Sequence, residues 1–545
     1  MKLYRFFAGI CLGPMLAALL AGCSDQLEIV QNGATSQDSY YQNDQEAESA
    51  VSTVYCFWRA CYETRMTLLE RLTDDVSKGG MNVNFFSTWK DRNTYIFNSG
   101  NEGIATYYTN AYTLIYYCNL IIEKVPGTTD VQKRCIAEAK FFRAWTHFHL
   151  GALWGENVPV VDHLLHADEY HVTNSPNGAL WALVEQDLTD AIAVLPSKNG
   201  VSDQRQTRVT REAAEVVLGK AYMWQQKYNE AAIEFDKVIE SGLYDLWEGD
   251  YDLLMHVQAN QCCEKVLDAM IPNDQANYKV NSLDRVNAWW GYFGWSGRMM
   301  KFSPQANEIF ASGENYLAPR KELYDAFVLE QEAYADAASE KNRFKSTLRT
   351  VWELAEIGAQ VTSDMPDHDL YFNWKNRELK ADLMGTPGGR GADNQYMNMP
   401  YIRYAEVLLL GAEAQLKASN GSQQKADAYL NKVRSRAGLL PKTATLDAIK
   451  LEKRLELCFE GVRYLDLIRW QRVDGTHDAF LALKDQGKES YNLKADKNGD
   501  TYTYSRVVSG TNPSAGFKEG KNELLPIPQA EIEVNGDYIQ QNPNW

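Results

Sequence analysis

Leu218-Gly219-Lys220-Ala221-Tyr222, followed by Tyr228, Ala231 and Phe235, is the stretch whose spacing decides the fold. Thr210 stands where a helix N-cap belongs, Glu212 puts a negative charge in the first turn, and Gly242 supplies a stop. The spacing predicts two antiparallel helices between Thr210 and Gly242. Gly219 and Ala231 carry so little side chain that the two helices can approach closely, while Tyr222, Tyr228 and Phe235 fill the space between neighbouring pairs. The same three-to-four-residue apolar period extends over Gln45 to Leu72, Thr106 to Trp154, Ala179 to Gly242 and Tyr401 to Trp470. Within the last of these, Leu410-Gly411 ahead of Ala426 and Leu430 repeats the pattern.

This spacing is similar to the tetratricopeptide signature, L-G-x2-Y followed by A-x3-F. The expected fold is therefore mainly α, a tetratricopeptide-like helical-repeat scaffold. Between Trp247 and Pro400 the helical period weakens and aromatic, Gly and Asn residues accumulate, which predicts a loop-rich insertion over about 247–400. From Lys484 to Glu523, Tyr and Thr alternate around Asn498-Gly499, the signature of a β-hairpin, before a Pro-rich end. Asp496, Asn498 and Asp500 resemble the start of a calcium loop, but Thr501 stands where that loop needs Gly. Residues 45–545 are expected to form a single body.

The 545 residues include 55 basic and 72 acidic ones, a formal charge of -17, with 45% hydrophobic and 23% charged side chains. Such a composition excludes disordered, collagenous and polytopic membrane chains. The acidic balance, with no basic run, excludes a nucleic-acid backbone as partner. At the amino end, Lys2 and Arg5 precede an apolar run from Phe6 to Ala21, shorter than the roughly 20 residues a spanning helix needs. It reads as a signal peptide over 1–22. The run ends Leu20-Ala21-Gly22-Cys23, similar to a bacterial lipobox in which the Cys23 thiol receives diacylglycerol. A polar Gln/Ser/Asn-rich tether then spans 23–44. Seven of the nine cysteines remain beyond Cys11 and Cys23, an odd number that yields no complete disulfide framework; most read as small buried hydrophobes. His163, His166 and His171 lie among acidic residues and could ligate a metal, although the segment reads more simply as a solvated loop.

Three further stretches carry a resemblance. They are Arg454-Leu455-Glu456-Leu457-Cys458-Phe459-Glu460-Gly461-Val462-Arg463-Tyr464-Leu465-Asp466-Leu467-Ile468-Arg469-Trp470, the upstream Tyr401-Ile402-Arg403-Tyr404-Ala405-Glu406, and the terminal Leu524-Leu525-Pro526-Ile527-Pro528 with Gln541-Asn542-Pro543-Asn544-Trp545. With Cys23, the Glu138 to Ala144 helix and the Thr210 repeat, they resemble, in order, the SusD/RagB family of outer-membrane nutrient-binding lipoproteins. Read as physics these motifs are scaffold. Leu451, Leu455, Cys458, Val462 and Leu465 predict one continuous apolar helix face, and Glu460 with Arg463, and Asp466 with Arg469, are placed to pair or to tie down loops.

The resemblance implies a noncatalytic cell-surface lipoprotein, anchored in the outer membrane through Cys23 and facing the exterior. Such proteins bind oligosaccharide or peptide nutrients and deliver them to a SusC-like TonB-dependent transporter; no cofactor is implied. A sugar site needs aromatic platforms beside hydrogen-bonding groups. Two stretches offer both: Asp74-Asp75 through Trp89, Arg92 and Asn93, and Trp289-Trp290-Gly291-Tyr292-Phe293-Gly294-Trp295. The candidate ligand residues are Asp75, Trp89, Arg92, Trp289, Trp290, Tyr292 and Trp295. Core packing, or a transporter-facing contact, would use the Trp289 cluster equally well. The alternative functions are a surface glycoside hydrolase and a structural adaptor that binds only protein. Against the hydrolase, the sequence has no paired-carboxylate motif, G-x-S-x-G, H-E-x-x-H or P-loop.

Overall fold

The computed structural model describes residues 40–80, 87–200, 208–271, 295, 298–336, 338–339, 342–383, 396–472 and 475–545. The signal peptide, Cys23 and most of the tether lie outside the described residues.

Eight helices stack in sequence. They are α1 (Asp44–Arg71), α2 (Glu102–Lys124), α3 (Asp130–Trp154), α4 (Ala179–Val194), α5 (Arg211–Trp224), α6 (Tyr228–Glu240), α7 (Tyr404–Lys417) and α8 (Gln423–Arg436). Each packs on the next. Their ends follow the local chemistry. The Asn43 and Asn101 side chains cap α1 and α2, Thr129 and Gln132 form a reciprocal capping box on α3, and Ser422 caps α8. In the hairpin that decides the fold, Thr210 Oγ1 accepts from the Ala213 N–H, and Gly242 beyond the end of α6 adopts φ +66°. A Cβ on Gly219 would stand 2.8 Å from the Phe235 ring, so this crossing admits only glycine.

The stack passes over the insertion as though it were absent. Although residues 241–403 separate them, α6 and α7 are packed neighbours: Asp236 on α6 accepts from Gln415, Lys425 and Tyr429, and a Cβ on Gly411 would touch Ile239 at 3.0 Å. Ten strands form five antiparallel pairs among the described residues: β1 (Val76–Gly79) with β4 (Tyr316–Pro319), β2 (Lys265–Ala269) with β8 (Met399–Arg403), β3 (Met300–Phe302) with β6 (Ala359–Val361), β5 (Leu348–Thr350) with β7 (Tyr371–Asn373), and β9 (Glu489–Asn498) with β10 (Thr501–Thr511). The β2–β8 pair brings the two ends of the insertion together. The β9–β10 hairpin has Gly499 and Asp500 as its loop, with Gly499 at φ +62° and Asn498 already paired with Thr501, one residue later than the sequence pattern places the turn.

Two expectations are corrected. Tyr401 to Arg403 end strand β8, and the helix starts only at Tyr404. The face from Leu451 to Leu465 is not continuous: α9 (Leu446–Leu457) stops, Phe459 and Gly461 take φ +66° and +71°, and α10 (Arg463–Arg469) begins. The break turns Glu460 inward and lets the Gly461 N–H donate to the Glu70 carboxylate at 2.5 Å. Asp466 and Arg469 do pair, whereas Arg463 reaches Asp74 instead of Glu460.

Glu460 joins a buried network of charges. Its two carboxylate oxygens accept from Arg403 Nε and Nη2, each at 2.7 Å, and Lys375 Nζ reaches it at 2.5 Å. Arg403 also pairs with Glu456 and Glu264, and Arg436 bridges those two carboxylates at 2.6 and 2.7 Å. Arg343 pairs with Glu452 and Glu456, and Arg434 links Glu452 to Glu330. Glu264, Glu330, Arg343 and Lys375 come from the insertion, the rest from the scaffold. Against the penalty of burial, Arg436, Arg403 and Arg343 hold the Glu456 carboxyl well below its ordinary range.

Two outcomes follow. Glu456→Gln leaves three buried guanidiniums short of a counter-charge and should cost about 3–5 kcal/mol in urea unfolding. At another buried pair of the scaffold, Arg469 donates twice to Glu413, at 2.7 and 2.6 Å, and against the cost of burial holds its pKa down at about 2 from an ordinary 4.5. A depressed carboxyl stabilises above its unfolded pKa and loses that stabilisation as pH falls through the folded one. Glu413→Gln should therefore be less stable than the parent by about 3 kcal/mol near neutrality, with the gap narrowing between about pH 5 and pH 2.

Candidate functional site

The chain leaves α1 at Arg71 and turns through Asp74 and Asp75 into β1. Asn93 holds that turn, donating from Nδ2 to the carbonyls of Arg71 at 2.9 Å and Val76 at 3.1 Å. β1 then pairs with β4, Ser77 opposite Ala318 and Gly79 opposite Tyr316. Just past the last pair, the Gly80 N–H donates to the Asn315 carbonyl at 2.7 Å. Glycine is required there, because φ is +81° and a Cβ would lie 2.1 Å from the Tyr316 ring. From the other direction, the Gly313 N–H donates to the Trp295 carbonyl at 2.8 Å. The short segment from Gly313 to Tyr316 thus joins the two stretches that the sequence nominates, one running out from Asp74 and the other ending at Trp295.

Asp367 forms the third side of this patch. Its carboxylate accepts from the Lys78 N–H at 3.1 Å, and its carbonyl accepts from Ser77 Oγ at 2.7 Å and the Gly79 N–H at 3.2 Å. The β9–β10 hairpin closes over it: the Asp367 N–H donates to the Asn492 side chain, His368 N–H to the Tyr491 carbonyl, and Met365 and Leu493 exchange backbone hydrogen bonds. Arg506 on β10 pairs with Asp369 at 2.5 Å, while the other Asp369 oxygen accepts from the Lys321 N–H. Sequence reasoning missed Asp367 and Asp369; their one signal is the acidic run Asp364-Met365-Pro366-Asp367-His368-Asp369.

The aspartates of the patch are engaged, and the exposed carboxylate side chain of the joining segment is Glu314. Asp74 accepts from Arg463 at 2.6 and 2.9 Å and pairs with Arg454 at 2.9 Å; burial opposes ionisation, but the two guanidiniums hold it well below the carboxylate range. Asp75 pairs with Arg454 at 2.7 Å. Asp367 and Asp369 are held by backbone N–H groups and an arginine. This chemistry suits a rigid binding surface, since a hydrolytic pair would need one free carboxyl on each side of a scissile bond.

The nominated residues are placed as follows. Asp75, Arg92 and Trp295 are interior and present no group to a solute. Asp75 is turned toward arginines distant in the chain. Arg92 lies over Gly103, where a Cβ would meet its guanidinium at 1.6 Å, donates to Asn101, and is lowered by burial to about 10. Trp295, only 2% exposed, packs on Phe310 and Trp374 with ring centroids 4.9 and 5.7 Å away and donates from Nε1 to the Asn373 carbonyl. It belongs to the insertion's own core. Trp89 falls in the short helix Ser87–Thr94, but its side chain lies outside the described residues, as do Trp289, Trp290 and Tyr292 entirely. The three nominated histidines do not converge: His163 bonds to Asp162 and Glu169, whereas His171 stacks on Tyr538. The seven cysteines among the described residues are all unbridged, and Cys61, Cys118, Cys135 and Cys458 are buried.

Solved structures with this fold are numerous. A family model described as the SusD family matches residues 281–545, and one described as starch-binding associating with outer membrane matches residues 30–223. The chain is 24% identical to SusD-like protein P2 of Formosa agariphila, an alignment covering 97% of this chain and 98% of the relative. It is 24% identical to a SusD-like protein of Bacteroides ovatus, covering 95% of each. Among solved structures, a laminarin binding SusD-like protein superposes with a TM-score of 0.74 at 27% identity, covering 93% of this chain and all of the other. Surface glycan-binding protein A from Bacteroides thetaiotaomicron, in complex with laminarihexaose, superposes with a TM-score of 0.69 at 20% identity, covering 92% and 99%. The two models together take in most of the helical stack and all of the carboxy-terminal motifs, and the chain belongs to the SusD family.

Proposed function

We propose that the protein is a noncatalytic cell-surface receptor that captures oligosaccharides and passes them to a SusC-like TonB-dependent transporter. Acylation of Cys23 would moor it in the outer membrane with the body facing outward; among the described residues no helix is long and apolar enough to cross a membrane. The observation that carries the reading is the convergence of the two nominated stretches on the segment from Gly313 to Tyr316, in a patch whose aspartates are held by arginines or backbone N–H groups. A surface built this way recognises without transferring protons. Laminarin is the first ligand class to try, because a relative 27% identical in sequence is named for binding it. Trp289, Trp290 and Tyr292 supply the stacking faces in this proposal, on the strength of their composition, and Trp89 is a further candidate.

Calorimetry with laminarihexaose on the chain lacking residues 1–23 should give saturable binding and no new reducing ends. Release of reducing sugar would overturn the receptor reading in favour of a hydrolase, and silence toward both glycans and peptides with retained transporter binding would favour the adaptor. Trp289→Ala, Trp290→Ala and Tyr292→Ala should each weaken binding by about 1 kcal/mol or more. In cells fed radiolabelled palmitate, Cys23→Ala should abolish incorporation of label and release the protein from the outer-membrane fraction.

A further inference from the structure

A groove lies elsewhere on the molecule and shares no lining residue with the patch around Asn315. Tyr108, Tyr112 and Tyr116 recur every four residues along α2, so their side chains share one face, with Tyr117 beside them. The connection between α3 and α4 brings Tyr170 opposite, and the carboxy-terminal helix Gln529–Asn535 closes the end, leaving a groove of about 690 Å³. Tyr116 and Tyr170 are 48% and 64% exposed and offer ring faces to solvent, whereas the Tyr112 hydroxyl is spent on the Pro159 carbonyl at 2.8 Å.

Two acceptors line this groove without partners among the described residues. Asn535 is 4% exposed; its Nδ2 donates to the Glu531 carbonyl, but its Oδ1 accepts from nothing. The half-buried Glu531 carboxylate makes no side-chain hydrogen bond or ion pair, no Lys or Arg lines the groove, and burial raises its pKa. An orphaned buried acceptor is costly, and the cost is relieved by a group that donates, such as a ligand hydroxyl. A hydrocarbon ligand would leave both acceptors unmet, and an anion would meet a carboxylate. A pyranose ring satisfies the whole set, with hydroxyls donating to Glu531 and Asn535 and CH faces lying on the tyrosines.

We propose that this tyrosine groove is a second binding site for a neutral oligosaccharide. The inference rests on the glycan-receptor reading but on different residues, so the two can fail separately. The probes are laminarihexaose, maltohexaose, cellohexaose and mannohexaose, titrated calorimetrically into the chain lacking residues 1–23. The background is the Trp289→Ala/Trp290→Ala/Tyr292→Ala variant, with thermal unfolding checked for each protein. At least one sugar should still bind this background and should protect the amides of residues 159–172 from exchange. Adding Tyr116→Ala and Tyr170→Ala, both at exposed positions, should weaken that binding by about tenfold, and Glu531→Gln by about threefold. Residual binding that ignores these changes overturns the groove, as does a background variant that binds no sugar while the parent does; the latter leaves the receptor reading intact. A parent that binds none of the four overturns both. Retention of tetramethylammonium in place of sugar, lost with Glu531→Gln, would overturn the proposed ligand class.

Discussion

Arg403 can occupy the interior only because Glu264, Glu456 and Glu460 surround it. A guanidinium removed from water without partners would be prohibitively costly, so the positions of those three carboxylates are not negotiable. Glu264 arrives just ahead of β2 in the insertion, whereas Glu456 stands in the last turn of α9 and Glu460 within the break between α9 and α10. The insertion therefore docks in one register. Slipping β2 against β8 by a residue would pull Glu264 away from both Arg403 and Arg436. Hydrophobic contact alone would tolerate such a slip far better, because it has little directional preference.

The same logic extends to the patch around Asn315. Arg454 and Arg463, on α9 and α10, reach across to Asp74 and Asp75 and so position the start of β1, which in turn positions β4 and Asp367. The motif that carries the family resemblance at the carboxy end is thus the mould for a surface made elsewhere in the chain. Its other half acts similarly: the Trp154 indole donates to the Pro526 carbonyl, and the Asn542 side chain donates to the carbonyls of Trp154 and Leu525, which clamps the end of α3.

What the sequence made legible was local. Thr210, Gly219, Phe235 and Gly242 act within one hairpin, and their spacing alone dictates their roles. The β-hairpin was legible for the same reason, to within one residue. The break after Leu457 was not, because apolar residues at steps of three and four look alike whether the helix continues or restarts; the partner that pulls Glu460 inward is Arg403, far away in sequence. The interior places of Asp75, Arg92 and Trp295 are illegible on similar grounds. Aromatic and charged residues in a Gly- and Asn-rich stretch suit a sugar platform, yet a small irregular core sealed by ion pairs needs the same composition. The Tyr108, Tyr112 and Tyr116 series was visible as a period, but what faces it comes from residues 170 and 531–535, which no local pattern connects.

The direct packing of α6 on α7 also bears on how the chain assembles. When synthesis reaches Glu240 the stack ends in a face, with Ile239 on it, whose cover has not yet been made. That cover arrives only after residues 241–403 have emerged, so the nascent half-solenoid must wait with an open apolar end, a delay that loop-closure entropy and slow long-range pairing lengthen. The abundance of charge on α6, with Glu230, Glu234, Asp236, Lys237 and Glu240 in thirteen residues, gives that waiting end a solubilising rim against premature self-association.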